Sequence, residues 1–537
     1  MALGKKLFFT ALFFSLLTEG TAITKDAWYN NFAWYFHADL KSWLPQAGLF
    51  LTPIEITIVV ILLIWAMRGR RDRHFHFERG LLFWPIIALL GVLAYGVLWG
   101  ATRTGSNFTV AIWEIRSLAL CIAAYFLVGL LFTHRRDLDT LTWVLLISIF
   151  LLGIEDIFRY FFVLNHYVGD LDYDHEDAVL LAFAILLSIA MILLGSTRRQ
   201  RLFAFVSIPV DLLAMMVTHR RAGFAAIAAG LVFVGIILFR VDKKIFFRVV
   251  PVTLLLSTIY LAAYWNCESG TLCQPARAIS SQFNPDPRDA ASNLYRDLEK
   301  IDITYNIENN VLTGLGFGQP FAFYVGLPNE SGWPFWHYTP HNEILWVWLK
   351  TGILGFILFW WLIGSGIYRG GRLVQALSAA GDKQGRALLA AGVTLIVMQV
   401  AVSYVDLGLT DDRAMLLWGV MFGVIGHLPG ILRRSINAEE SAQVSTPLAT
   451  ETPEAQVGVL AHALVTPEAG NKHNTPSRTQ TFTRWGQKDG SPSWPRSPQA
   501  APTGQRTLSR PRGAATWQSR WAREQARWAE EENNRQP

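Results

Sequence analysis

The chain has 537 residues, 52% of them hydrophobic and 16% charged. A soluble chain of this length carries more charge, so the composition excludes an ordinary soluble multidomain protein. The formal net charge of +6 does not indicate a nucleic-acid partner, because Lys and Arg fall between apolar blocks, where cytoplasmic loops of membrane proteins carry them.

About twelve apolar blocks approach the length needed to cross a bilayer. They lie at 7–17, 53–67, 81–100, 112–132, 141–161, 178–195, 202–217, 222–239, 246–265, 344–368, 388–405 and 415–432. The first follows Lys5 and Lys6 and reads either as a signal peptide ending near Thr21 and Ala22 or as a retained helix. The retained helix is preferred because the topology then closes. One alternating set of loops holds RGRRDRHFHFER, THRRD, STRRQR, RVDKK, YRGGR and RRS, and is assigned to the cytoplasm. The other set holds ATRTGSNF, YVGDLDYDHED, THRRAG, the stretch 266–340 and YVDLGLTDD, and faces outward. Both termini then lie inside. The expected fold is all-α: a polytopic membrane bundle at 1–434 with a large outer loop at 266–340. A tail at 435–537, rich in Pro, Ser, Thr and Gly, is expected to be disordered. Near its end, Trp517, Trp521 and Trp528 with neighbouring arginines suggest an inner-surface or partner contact as the alternative.

In chain order, the candidate polar groups begin with Glu114 and Arg116, near the outer start of the fourth span. Intramembrane charge is expensive, so the two either pair locally or help to hold an anionic lipid head group. Asp170, Asp172 and Asp174 make overlapping D-x-D patterns like those of nucleotide-sugar transferases. They lie outside, where nucleotide sugars are absent, and read as a solvated acidic loop, with a cation or sugar site as the alternative. Arg220 and Arg221 break the positive-inside rule in a very short turn. An anion at the outer face gives them a use; snorkelling to head groups is the alternative. Cys267 and Cys273 sit in a short outward hairpin, where an oxidising compartment lets them pair, while Cys121 lies within a span. Residues 293–306 read as a helix carrying Arg296. TGLGFG then supplies Gly314, Gly316 and Gly318 without a preceding strand, so a dinucleotide fold fails. These glycines either cradle a phosphate or let the loop turn tightly. In HYTPHNEILWVWLKTGILG, Thr339 reads as an N-cap and Pro340 as the first helical residue. His341 then falls in the first turn, where the helix dipole favours a neutral imidazole and free amides hold phosphate oxygens.

THRRAG, YRDLEKIDITYNIENNVLTGLGFG and HNEILWVWLKTGILG together resemble the O-antigen ligase and polymerase superfamily, multi-span glycosyltransferases with a large periplasmic loop between late helices. The ligase pattern of His-Asn, nine residues and Gly is met by His341, Asn342 and Gly352. The resemblance covers 53–434 in topology and 218–355 in motif. It implies His341, Arg221 and Arg296 as the catalytic set, with Arg220 the neighbouring alternative to Arg221. It implies transfer of a glycan from a polyprenyl-diphosphate carrier to an acceptor hydroxyl at the periplasmic face of a bacterial inner membrane. In such a scheme the arginines stabilise charge on the diphosphate and His341 accepts the hydroxyl proton. Asn342 orients the base or the sugar, and Arg116, Arg220, Gly314 and Gly316 are candidates for substrate contacts. The displacement inverts the anomeric centre and uses neither metal nor cofactor. The lipid A core is the first acceptor implied. A polymerase acting on a lipid-linked glycan and a protein O-oligosaccharyltransferase are variants with the same donor. A secondary transporter is the reading from another class; it leaves the long outer loop unexplained.

Overall fold

The computed structural model describes residues 2–17, 51–69, 78–168, 173, 175–267, 270–327 and 335–444. Asp170, Asp172 and Asp174 and the tail at 445–537 lie outside the described residues. Among the described residues there is no β-strand. The helices are α1 (Ala2–Leu17), α2 (Pro53–Gly69), α3 (Phe83–Ala101), α4 (Phe108–Leu131), α5 (Arg135–Phe158), α6 (His175–Leu194) and α7 (Arg198–Val217). They continue with α8 (Arg221–Val241), α9 (Lys243–Tyr264), α10 (Gln274–Ser280), α11 (Pro287–Asn309), α12 (Glu343–Ala379), α13 (Lys383–Val405) and α14 (Asp412–Val444). Among the described residues ten of these, α3–α9 and α12–α14, are long and apolar enough to cross a membrane. α2 is apolar but shorter. The chain is an all-α, multi-pass membrane bundle. Every expected span meets a helix, and α14 runs on past Arg434, where the sequence suggested that the bundle ends.

α1 is part of the bundle. Phe8, Leu12 and Leu16 are buried, and Lys5 Nζ lies 2.6 Å from Asp137 Oδ2 at the start of α5. At the centre α14 packs along α4. Gly419 and Gly423, one turn apart, let the two backbones approach: a Cβ on Gly419 would lie 2.2 Å from the Cys121 carbonyl oxygen. Lipid offers no hydrophobic drive for helix association, so close backbone contact of this kind carries it. α6 is buried along nearly its whole length, between α7, α8 and α13. α9 has no buried residue at all.

The longest helix, α12, is broken. Gly352 has φ 68° and ψ −175° inside its 37 residues. Such a break strands backbone groups that hydrocarbon cannot satisfy. The segment 311–318 satisfies them instead. The Ile353 amide donates to the Val311 carbonyl (2.9 Å), and the Leu315 and Gly316 amides donate to the Leu349 and Lys350 carbonyls (2.7 and 3.0 Å). The same strap is fastened to α3 through Phe317 N to Gly96 O (3.0 Å) and to the start of α4 through Asn107 N to Gly318 O (2.9 Å). A fully buried ion pair locks it: Lys350 Nζ lies 2.8 Å from Glu114 Oε1 and donates to the Gln319 carbonyl at 2.6 Å. Glu114 Oε2 accepts from the Gly318 amide at 2.5 Å. A buried pair is tolerated only when its remaining hydrogen-bonding capacity is met in this way.

Gly352→Ala tests the break. A Cβ there would lie 2.1 Å from the Leu312 carbonyl oxygen, in a conformation that costs a side-chain-bearing residue about 1–3 kcal/mol before any clash. The variant is expected to melt well below the wild type in detergent and to accumulate poorly. Gly364→Ala, in the same helix at a position where a Cβ would meet nothing within 4 Å, is expected to melt no lower than the wild type. Equal melting of Gly352→Ala and wild type would refute the role given to the break.

Candidate active site

Three elements bring the site together at one end of the bundle: the start of α8, the loop helix α11, and the chain entering α12. α11 is capped by Asp286, which accepts the Asp289 amide at 2.7 Å, and has Pro287 in its first turn. Before it, Cys267 and Cys273 form a disulfide with Cα atoms 5.7 Å apart, while Cys121 is free and buried. α11 presents Asp289, Tyr295, Arg296 and Glu299 over about three turns.

His341 meets α11 at Glu299. Its backbone N–H donates to Glu299 Oε2 at 2.8 Å, and its Nδ1 lies 3.2 Å from Oε1. The Tyr295 ring packs edge-on at 5.5 Å. Arg296 reaches Asp406, with Nη2 3.7 Å from Oδ2. The same Asp406 oxygen lies 2.9 Å from His175 Nδ1, and His175 Nε2 lies 3.3 Å from Arg220 Nη1. Arg220 also donates to the Tyr173 carbonyl. Arg221 donates to Ser281 Oγ at 3.2 Å and lies 3.5 Å from Asp289 Oδ1. Arg277 shares Asp289 at 3.6 Å and pairs with Asp286. Arg296 stands within electrostatic reach of both Arg221 and His341, so the three residues proposed as catalytic from the sequence do converge.

Exposure divides the groups by sign. The His341, Arg296 and Arg221 side chains keep 25%, 33% and 21% of their surface, whereas Glu299, Asp406 and Asp289 keep 2%, 5% and 12%. Each of the three basic groups is thus more exposed than the carboxylate it meets, whereas in the Arg277–Asp286 pair the carboxylate is the more exposed partner. Asp406 is placed by Glu343 in the first turn of α12. Glu343 accepts from the Gly408, Leu409 and Thr410 amides and from the Thr410 hydroxyl.

The electrostatics of His341 follow from this setting. Burial opposes its charge, but the hydrogen bond and charge of Glu299, helped by Asp406, outweigh burial and the opposing Arg296, and its pKa rises above the usual histidine value. Burial pushes Asp406 up, yet His175, Arg296 and His341 hold it well below the usual carboxylate range. The expectation that a helix dipole keeps His341 neutral is overturned. The N-cap of α12 is Asn342, whose side chain accepts the Leu345 amide at 3.0 Å, not Thr339. His341 therefore precedes the helix, and a full carboxylate at contact distance outweighs the half-charge of a helix end. The nine residues between Asn342 and Gly352 are the N-terminal segment of α12, so the His-Asn to Gly spacing measures the helix from its cap to its break.

Other sequence expectations are corrected. Gly314 and Gly316 do not line a phosphate site. The amides from Gly314 to Gly318 all donate to protein acceptors, and a Cβ on Gly316 would lie 2.4 Å from the Gly100 backbone. These are packing glycines. Glu114 and Arg116 do not pair with each other, since residues two apart point to different sides of a helix. Arg116 grips Glu55 in bidentate fashion at 2.9 and 3.0 Å, lies 3.6 Å from Asp412 and covers the Trp113 ring at 4.5 Å. That draws it into a separate network. Asn342 is engaged as a cap. Sequence reasoning missed Glu299, Asp406, His175 and Asp289. The signal for Glu299 and Asp289 was their helical spacing from Arg296, three and seven residues; Asp406 and His175 had no signal beyond lying in loops that the charge pattern assigned outward.

Residues 210–360 match a family model described as O-Antigen ligase. The match takes in Arg220, Arg221, Arg296, Glu299, His341 and Gly352, and leaves out His175 and Asp406. No curated protein matches the chain. Through residues 210–360, which hold most of the site just described, the chain carries a domain of the O-antigen ligase superfamily of glycosyl-transferring membrane enzymes.

Proposed function

We propose that the chain transfers a glycan from a polyprenyl-diphosphate carrier to an acceptor hydroxyl, as a ligase whose acceptor is the lipid A core. The observation that carries this reading is the convergence of two partly exposed arginines with a histidine–carboxylate pair at the ends of apolar helices. A lipid-borne anion and an acceptor hydroxyl meet at such a depth. The site end is the periplasmic one in this reading, with the Arg- and Lys-rich loops and both termini in the cytoplasm of a bacterium.

Arg221 and Arg296 bind the diphosphate, for which guanidinium forks are suited. Arg221 rests on Ser281 and Asp289, and Arg296 lies 3.7 Å from Asp406, a loose contact that a phosphate replaces. Arg220, engaged by His175 and the Tyr173 carbonyl, is a support rather than a clamp. The acceptor oxygen attacks the anomeric carbon as the bond from that carbon to the phosphate oxygen breaks. The electron pair leaves with the diphosphate, where the arginines stabilise it. His341 Nε2 takes the hydroxyl proton, and Glu299, beside Nδ1, stabilises the imidazolium that forms. The configuration inverts, and the arginines take the place of a metal.

Deleting the gene and analysing surface glycan tests the ligase assignment: complete polymer should remain on the carrier, whereas single repeats there would mark a polymerase. His341→Ala should bind donor normally and transfer about 10²–10⁴-fold more slowly. Arg221→Ala and Arg296→Ala should lose donor affinity as well as turnover, and Lys at either position should restore only part of both. EDTA should leave the wild-type rate unchanged. Donor binding and single-turnover transfer in nanodiscs measure all of these. Unchanged transfer by folded His341→Ala would remove the base from the scheme.

The pH dependence follows from the Glu299 contact. The base works when neutral, so the rate rises with pH through a His341 pKa lying above the usual value. Glu299→Gln removes the largest influence raising that pKa. Its acid limb should move to lower pH while its plateau falls. An acid limb that stays in place would show that Glu299 does not control His341.

A further inference from the structure

Tyr305 and Tyr324 form a second feature of the loop region. Their rings stack with centroids 4.8 Å apart and planes 18° apart, yet they remain 40% and 52% exposed. We propose that this pair is a sugar-stacking subsite that receives a pyranose ring of a glycan engaged at the transfer centre. The inference rests on the glycosyl-transfer reading above.

The pair is built rather than incidental. Tyr324 lies on a short loop segment that two buried polar side chains pin to α11. Asp302 Oδ1 accepts the Tyr324 and Val325 amides at 2.7 and 2.8 Å. Asn306 Oδ1 accepts the Ala322 amide at 3.0 Å, and its Nδ2 donates to the Ala322 carbonyl at 2.7 Å. Burying a carboxylate and a carboxamide costs free energy unless their partners are well placed. Here that arrangement fixes the backbone under an exposed ring, which contributes little to the core. Its orientation matters to something outside the chain.

Position and chemistry select a sugar. Tyr305 lies six residues beyond Glu299 on the same helix, about 9 Å along its axis and about 120° round it, so a glycan held at His341 and curving round α11 reaches the pair within a few sugars. The C–H faces of a pyranose are apolar and weakly positive, and they complement the negative face of an aromatic ring. Tyrosine adds a rigid, amphipathic surface at low conformational cost. Thr304, Glu308 and Asn309, all exposed beside Tyr305, offer hydrogen-bonding groups to ring hydroxyls. The pair is removed from the arginines and takes no part in holding the diphosphate.

The test uses the full chain in nanodiscs with two donors, a polyprenyl diphosphate carrying one sugar and the same lipid carrying an oligosaccharide. The Tyr305→Ala/Tyr324→Ala variant should raise the KM for a glycan about tenfold with kcat little changed, and Phe at both positions should keep most of the wild-type affinity. A raised KM for the oligosaccharide donor alone places the ring on the donor. A raised KM for the acceptor, with both donors unaffected, places it on the acceptor glycan. Unchanged kinetics in a wild-type background that transfers would overturn the subsite and leave the transfer reading standing. So would an equal loss for the one-sugar donor, which marks a structural or membrane-facing contact. A wild type that transfers from neither donor would overturn the transfer reading and the subsite with it.

Discussion

A helix that breaks inside a membrane must find new partners for its freed backbone groups, and this bundle is arranged around that requirement. At Gly352 the partners come from the strap at 311–318. Glycines at 314, 316 and 318 let the strap slide between α12, α3 and α4, each with positive φ. The Glu114–Lys350 pair closes the assembly where both side chains are fully buried. What the break achieves is directional. It frees the N-terminal segment of α12 to take its own path, with Asn342 at its cap and His341 one residue further out. The strap is also the continuation of α11, which carries Arg296 and Glu299. One set of backbone hydrogen bonds therefore fixes the distance between the histidine and the helix that faces it.

The site repeats one arrangement on both of its sides. Three basic groups are each held by a more buried carboxylate: His341 by Glu299, Arg296 by Asp406, Arg221 by Asp289. This keeps long side chains in one orientation before substrate arrives, which reduces the ordering that binding must impose. The carboxylates are themselves anchored. Asp406 precedes a loop clamped by Glu343, and Asp289 is shared with Arg277. The contacts on the arginines are loose enough, at 3.5 and 3.7 Å, for a more highly charged anion to replace them.

Much of the fold was legible because membrane spans declare themselves by length and apolarity, and lipid permits little besides helices. The arginines at 220 and 221 stood out as basic residues in a short turn that the charge pattern assigned to the outer side, and the cysteines by their spacing. The partners of these residues were not legible. Asp406 is separated from His341 by two helices, and no local periodicity links them. The N-cap of α12 was misplaced by three residues because Thr339 and Pro340 form a good start signal, while tertiary contact with Glu299 holds His341 outside the helix. The glycine run read either as an anion cradle or as a tight turn, and no local signal told that its amides are claimed by the break at Gly352 and its neighbours. Arg116 was drawn into the site by its depth, but Glu55, sixty-one residues earlier, had already taken it.

α9 differs from the other spans in burying none of its residues, and it is held chiefly at its ends. At one, Asp242 closes α8 and caps α9 by accepting the Lys244 and Ile245 amides. At the other, Tyr260 donates to the Leu272 carbonyl and the Cys267–Cys273 bridge begins three residues past the helix. Selection acting through packing has almost no hold on the middle of such a helix. Any residue that lipid accepts serves there, so apolar exchanges in the middle of α9 cost little, while changes at the two tethers or at the arginine end of α8 remove contacts that hold it.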